Sequence, residues 1–104
     1  MDTRFFKFLI FNQFLEELLK QYYEKLNNKH YLRINNDIYL LSRLTSLSDV
    51  DKISLVDEIL SYNAECCDNV LKIKVFIVKD GNAQKNPSYI NINVTNSIIK
   101  SLTN

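Results

Sequence analysis

VLKIKVFIVK (residues 70–79) and SYININVT (residues 88–95) each set apolar side chains at every second position over most of their length. Successive strand side chains point to opposite faces, so this period of two predicts a pair of strands with one buried face. Leu71, Ile73, Val75 and Ile77 share a face on the first strand. Ile90, Ile92 and Val94 share a face on the return. Pairing Lys79 with Ser88 sets Ile77 opposite Ile90, Val75 opposite Ile92 and Ile73 opposite Val94, with both apolar rows on one side. A slip of one residue would turn one row into water, which specifies the register. The connection, Asp80 to Pro87, holds the only glycine and the only proline of the chain, Gly81 and Pro87. It is expected to form a long, mobile, exposed loop.

Upstream, residues 48–67 are expected to form a helix. Ser48 followed by Asp51 resembles a capping box, with Asp in place of the usual Glu. Ile53, Val56, Leu60, Ala64 and Cys67 form its apolar stripe, widened by Leu55 and Ile59, and Asp68-Asn69 ends it. Residues 30–44 read HYLRINNDIYLLSRL. Asn35-Asn36-Asp37 is turn chemistry, because short amide and carboxylate side chains tolerate positive φ. A tight hairpin is predicted, the competing reading being one strand followed by a helix from Asp37. Residues 3–27 carry apolar side chains at spacings of three and four: Phe8, Phe11, Leu15, Leu18, Tyr22 and Leu26, with Phe14, Leu19 and Tyr23 alongside. Asp2 is the expected N-cap and Asn27-Asn28 the stop. A short turn of helix over Ser97–Leu102, capped by Asn96, closes the chain. The expectation is a single α+β domain spanning 1–104, in the order α-ββ-α-ββ plus a short C-terminal helix. Two hairpins build a four-stranded antiparallel sheet with helices on one face.

The chain has 104 residues, 46% hydrophobic and 24% charged, with a net charge of +1. A domain of this size buries roughly 65% of its unfolded surface, enough for one core without staples. The near-zero charge provides no bulk field to attract nucleic acid or an anionic membrane. FFKFLIF (residues 5–11) is broken by Lys7, soon followed by Glu16 and Glu17, and is too short to span a bilayer. The expectation is therefore no membrane insertion and a cytoplasmic protein. The adjacent Cys66 and Cys67 rarely suit disulfide geometry without strain, so they are expected to be free thiols. Two alanines and one glycine beside many Asn, Ile, Leu and Lys suggest an AT-rich genome, such as that of a virus, mobile element or low-GC bacterium.

Catalytic chemistry finds little to work with. The sole imidazole, His30, reads as a surface or edge residue, and nothing in the spacing joins it to Cys66 or Cys67 as an activated thiol. Zinc sites need Cys and His at spacings that let a short turn present two ligands, which vicinal cysteines do not provide. Asp49, Asp51, Asp57 and Glu58 lack the glycine and closing glutamate of a calcium loop and read as the solvated face of a helix. Phosphate-binding loops require several glycines. No catalytic residue, metal or cofactor is expected.

Two surfaces remain. The outer face of the second hairpin carries Lys72, Lys74, Phe76 and Val78, expected opposite Thr95, Asn93, Asn91 and Tyr89. Phe76, Val78 and Tyr89 form an apolar patch suited to a protein partner. The first helix has more aromatic surface, Phe5 and Phe8 included, than one helix face usually buries. The expected function is a non-enzymatic protein-binding module, an inhibitor or an accessory or chaperone-like factor, forming a homodimer. The alternative is a single-stranded nucleic-acid-binding domain using Lys72, Lys74, Phe76 and Tyr89, because basic residues among aromatics on a sheet can hold phosphates and stack bases.

Overall fold

The two-residue periodicity of residues 70–79 appears in the computed structural model as the central strand to which every sheet partner except one pairs. The structure describes residues 4–22, 30–79, 81–83 and 85–94. Helix α1 spans Arg4–Tyr22, strands β1 and β2 span His30–Ile34 and Asp37–Leu40, and helix α2 spans Asp49–Glu58. Strands β3, β4, β5 and β6 span Ala64–Cys67, Val70–Lys79, Asn82–Ala83 and Ser88–Asn93. All pairings are antiparallel. The α+β class and the helix–hairpin–helix–hairpin order are as the periodicities predict.

Four rows of strand make up the sheet. Val78 and Lys79 of β4 pair with β1 and also with β5, so those two lie on opposite sides of β4. Val70 to Ile73 pair with both β3 and β6, which are opposite in the same sense. Strands β5 and β6 are successive pieces of one return strand. Strands β1 and β3 therefore lie end to end along the other side, and β2 forms the outermost row beyond β1.

Asn35-Asn36 closes the first hairpin, with Ile34 paired to Asp37 and Asn35 at φ 53°. That resolves residues 30–44: the chain forms a hairpin, and only after Leu40 turns into a 3₁₀ helix, Leu41–Ser46. Ser48 caps α2 as its sequence predicts, its hydroxyl accepting the Asp51 N–H at 3.2 Å. The helix expected over 48–67 is shorter, however. Its α-helical part ends at Glu58, a π-helical turn carries Ile59–Asn63, and residues 64–67 are strand β3. Asp68 and Asn69 hold φ of 53° and 63°, the two left-handed positions of a type I′ turn, and fold β3 back on β4. The sheet edge at 70–73 gains main-chain partners that a longer helix could not supply. Cys66 and Cys67 are thus strand residues, not part of a helical stripe.

The second hairpin also differs in register. Val75, Ile73 and Leu71 pair with Ser88, Ile90 and Ile92, four residues away from the expected alignment. Lys79 instead pairs with Asn82, and Gly81 before it takes φ 81°. The return strand is interrupted after Ala83 and resumes at Ser88. Pro87 has no N–H to give to a ladder, so the segment before it leaves the sheet. What was expected to be one long loop is a tight tip followed by a bulge. A shift of four preserves the pleat, so both apolar rows still face the core.

That core lies between one sheet face and the helices. Leu32, Ile34, Ile73, Val75 and Ile90 from the strands and Phe14, Leu18, Leu55, Val56 and Ile59 from the helical segments are all fully buried. Lys7 joins α1 to α2 through Asp57 at 2.6 Å. Phe11 and Phe14 are core residues, while Phe5 is 65% exposed and Phe8 is half-buried. The predicted ends of the first helix, Asp2 and residues 23–27, and the helix expected at 97–102 lie outside the described residues. Among the described residues no helix is long and apolar enough to cross a membrane.

Candidate functional site

Opposite the helices, the outer face of the sheet reaches solvent. Pleating sends Lys72, Lys74, Phe76 and Val78 of β4 to this side, with the odd-numbered residues of β4 facing the core. Lys72 and Lys74 are exposed, Phe76 and Val78 are half-buried, and Tyr89 is 42% exposed. The outer positions are therefore as expected, but their neighbours are not. Tyr89 lies opposite Lys74 and Asn91 opposite Lys72. Phe76 and Val78 pair instead with Arg33 and Tyr31 of β1.

The face consequently has two centres. At one, the Arg33 guanidinium carbon lies 4.6 Å from the centroid of the Phe76 ring. At the other, the Lys72 ammonium lies 4.2 Å from the centroid of Tyr89. Cation–aromatic contacts of this kind are worth about 0.5–1 kcal/mol at exposed sites. Beyond Arg33, Ile38 of β2 is 58% exposed and extends the apolar surface to the outermost row. The Arg33 Nε is buried and makes no hydrogen bond. Arg33, Tyr31 and Ile38 were not singled out in the sequence. The alternation of HYLRI does place Tyr31 and Arg33 on one face, but only the pairing of β1 with β4 brings them beside Phe76 and Val78.

A second polar cluster joins the first hairpin to α2. Glu58 hydrogen-bonds to Asp37, and Asn35 from the turn also bonds Glu58. Burial first, and then the Asp37 hydrogen bond and charge, push the Glu58 carboxyl up to about 7, against the opposing Asn35 bond. Tyr39 is pushed up to about 12 by burial and by the charges of Asp37, Glu58 and Asp51. A carboxyl whose folded pKa exceeds its ordinary 4.5 binds its proton more tightly when folded, so its contribution is complete below pH 4.5 and lost as pH rises through 7. Glu58 is half-exposed and solvent-screened, so we expect this loss to be about 1 kcal/mol. Glu58→Gln, which keeps a donor for Asp37, should match the parent near pH 4 and be the more stable by that amount at pH 8. Urea titrations at the two pH values read the difference; equal stability at pH 8 would show that Glu58 ionises freely.

His30, expected at the surface, is buried at 6% exposure. It pairs with Lys79 while Cys66 pairs with Leu71. These lie at opposite ends of β4, about 26 Å apart at roughly 3.3 Å per residue. The backbones of His30 and Cys66 are therefore held at opposite ends of the sheet. Among the described residues no group of three or more His, Cys, Asp or Glu side chains could hold a metal ion. No protein-family model matches the sequence, and no curated protein or solved structure shows significant similarity to it.

Proposed function

We propose that this protein is a non-enzymatic binding module that takes a protein partner on the outer face of its sheet. The carrying observation is the surface formed by Phe76, Val78 and Tyr89 together with Arg33, Lys72 and Lys74. Large apolar side chains left on a sheet face, ringed by polar groups, are the anatomy of a protein contact. The cations favour a partner whose own apolar patch is bordered by Asp and Glu. In this reading the first turn of α1, with exposed Phe5 stacked edge-to-face on Phe6 and half-buried Phe8 beyond, contacts a second copy of the chain. A cytoplasmic setting and a role as inhibitor, accessory factor or chaperone belong to the same proposal.

A single-stranded nucleic acid is the second reading, favoured by the same cation–aromatic pairs on a sheet. It is the weaker one on two counts. One face of the Phe76 ring is already covered by Arg33 and one face of the Tyr89 ring by Lys72. The net charge of +1 also gives little of the phosphate attraction that dominates such binding.

The test compares the parent with a Phe76→Asp, Tyr89→Ala variant in affinity capture from the native host. A discrete protein retained by the parent and reduced at least tenfold by the variant is the expected result, with light scattering of the same samples reading self-association. Single-stranded RNA is titrated in parallel over a salt series. Salt-sensitive RNA binding lost in the variant, with no protein lost, would replace the first reading by the second.

A further inference from the structure

The return strand β6 has one strand neighbour, β4, among the described residues. In an antiparallel ladder, residues alternately turn their main-chain groups toward the partner and away from it. The Val94 N–H donates to the Asn69 carbonyl at 2.8 Å, which extends the β4–β6 ladder by one pair and fixes its phase. Ile90, Ile92 and Val94 turn their N–H and C=O groups toward β4. Tyr89, Asn91 and Asn93 turn theirs outward.

Helix α1 runs beside this edge. The Gln21 side-chain amide donates to the Tyr89 carbonyl at 3.4 Å, doing there what an added strand would do. Glu17 and Gln13 lie on the same stripe of α1, one and two turns nearer its start. With Glu16 they line a groove of about 320 Å³ against Asn91, Ile92 and Asn93. The spacing is commensurate: from Gln21 to Gln13 is about 12 Å of helix, and from Tyr89 to Asn93 about 13 Å of strand. Among the described residues its charged members are the carboxylates of Glu16 and Glu17, with exposed Lys20 paired to them at 3.6 and 3.2 Å. One cation against two carboxylates leaves the groove acidic.

We propose that this groove takes an extended, basic peptide segment of a partner protein as an added strand on β6. Its main chain bonds the outward groups of Asn91 and Asn93. Its alternate side chains, those on the helix-covered side of the sheet, are Lys or Arg directed to Glu16 and Glu17. Strand addition draws affinity from the main chain and specificity from alternate side chains. The site lies on the sheet edge and is independent of the outer-face proposal.

The probe is a fluorescein-labelled nonapeptide alternating Lys with Thr, followed by anisotropy on the full chain. Three comparisons are expected to weaken binding at least tenfold: a peptide with Glu in place of Lys, a peptide N-methylated at alternate amides, and the Glu16→Gln, Glu17→Gln protein. Asn91→Pro removes an N–H that serves no bond to β4, so it should keep the fold and also lose at least tenfold. Asn91→Thr retains that N–H and should lose far less than Asn91→Pro, which separates loss of the N–H from loss of the side chain. If Asn91→Pro does not fold, the N-methylated peptide on the parent decides. Equal binding of the methylated and unmethylated peptides overturns strand addition, and equal binding of the Lys and Glu peptides overturns the acidic specificity.

Discussion

Replacing Phe14 by alanine should lower the stability of this protein by about 3–5 kcal/mol. Phe14 is fully buried in α1, whose buried stripe continues through Leu18 and Tyr22. Alanine forfeits the transfer free energy of the ring and leaves a void between a helix and a sheet that cannot both close on it. Interiors are packed at crystal-like density, so the neighbours relax only in part. Domains of this kind are stable by about 5–15 kcal/mol, so the variant would retain a fraction of its stability or unfold at room temperature. Phe5→Ala supplies the contrast. At 65% exposure the same deletion on the same helix should stay within about 0.5 kcal/mol. Urea denaturation followed by circular dichroism measures both. A loss below 1 kcal/mol for Phe14→Ala would mean that α1 does not pack on the sheet as described.

Ile73→Ala should cost about 2–5 kcal/mol, whereas Lys74→Ala, one residue on, should stay within about 0.5 kcal/mol. Ile73 is fully buried where three strands meet, paired with Ala64 of β3 on one side and Ile90 of β6 on the other. No neighbouring row can shift to fill the space without breaking one of two ladders. Lys74 points to the outer face and is exposed. The pair of variants therefore reads which sheet face is core. Comparable losses at both positions would mean that the outer face is covered too, which would also remove the surface on which the proposed function rests.

Several features of this fold are legible in single residues. Ser48 and Asp51 mark the start of α2 because a hydroxyl at a helix N-cap accepts an orphan N–H whatever the helix packs against. Asn35 and Asn36 mark a hairpin turn because short amide side chains favour turns locally, and Asn35 takes the positive φ. The alternation over 70–79 marks the core face for a similarly local reason. Arrangements that rest on competition between distant segments were not legible. Residues 64–67 carry an apolar pattern that suits a helix, and they become strand β3 because β4 offers main-chain groups with no other partner. The alignment of β6 on β4 moved by four residues because the pattern constrains register only modulo two. The tight tip at Gly81 and the bulge before Pro87 selected among the alignments that keep the apolar rows together. Cys66 and Cys67, read as helical, changed element with β3.

The candidate site follows the same division. Lys72, Lys74, Phe76, Val78 and Tyr89 were assigned to an outer face by alternation alone, and that assignment depends on nothing but the pleat. Arg33 joined them only through the pairing of β1 with β4, a contact between segments more than forty residues apart. The acidic groove arises from the approach of α1 to β6, which no local pattern encodes. By itself the sequence determined the main helices and the two hairpins, their order and the face that β4 and β6 turn to the core, because caps, turns and periodicity act within a few residues. The tertiary structure alone decided the register, the added strand and which charges meet which rings. Those are set by the need to satisfy every main-chain group of β4 while keeping one continuous core.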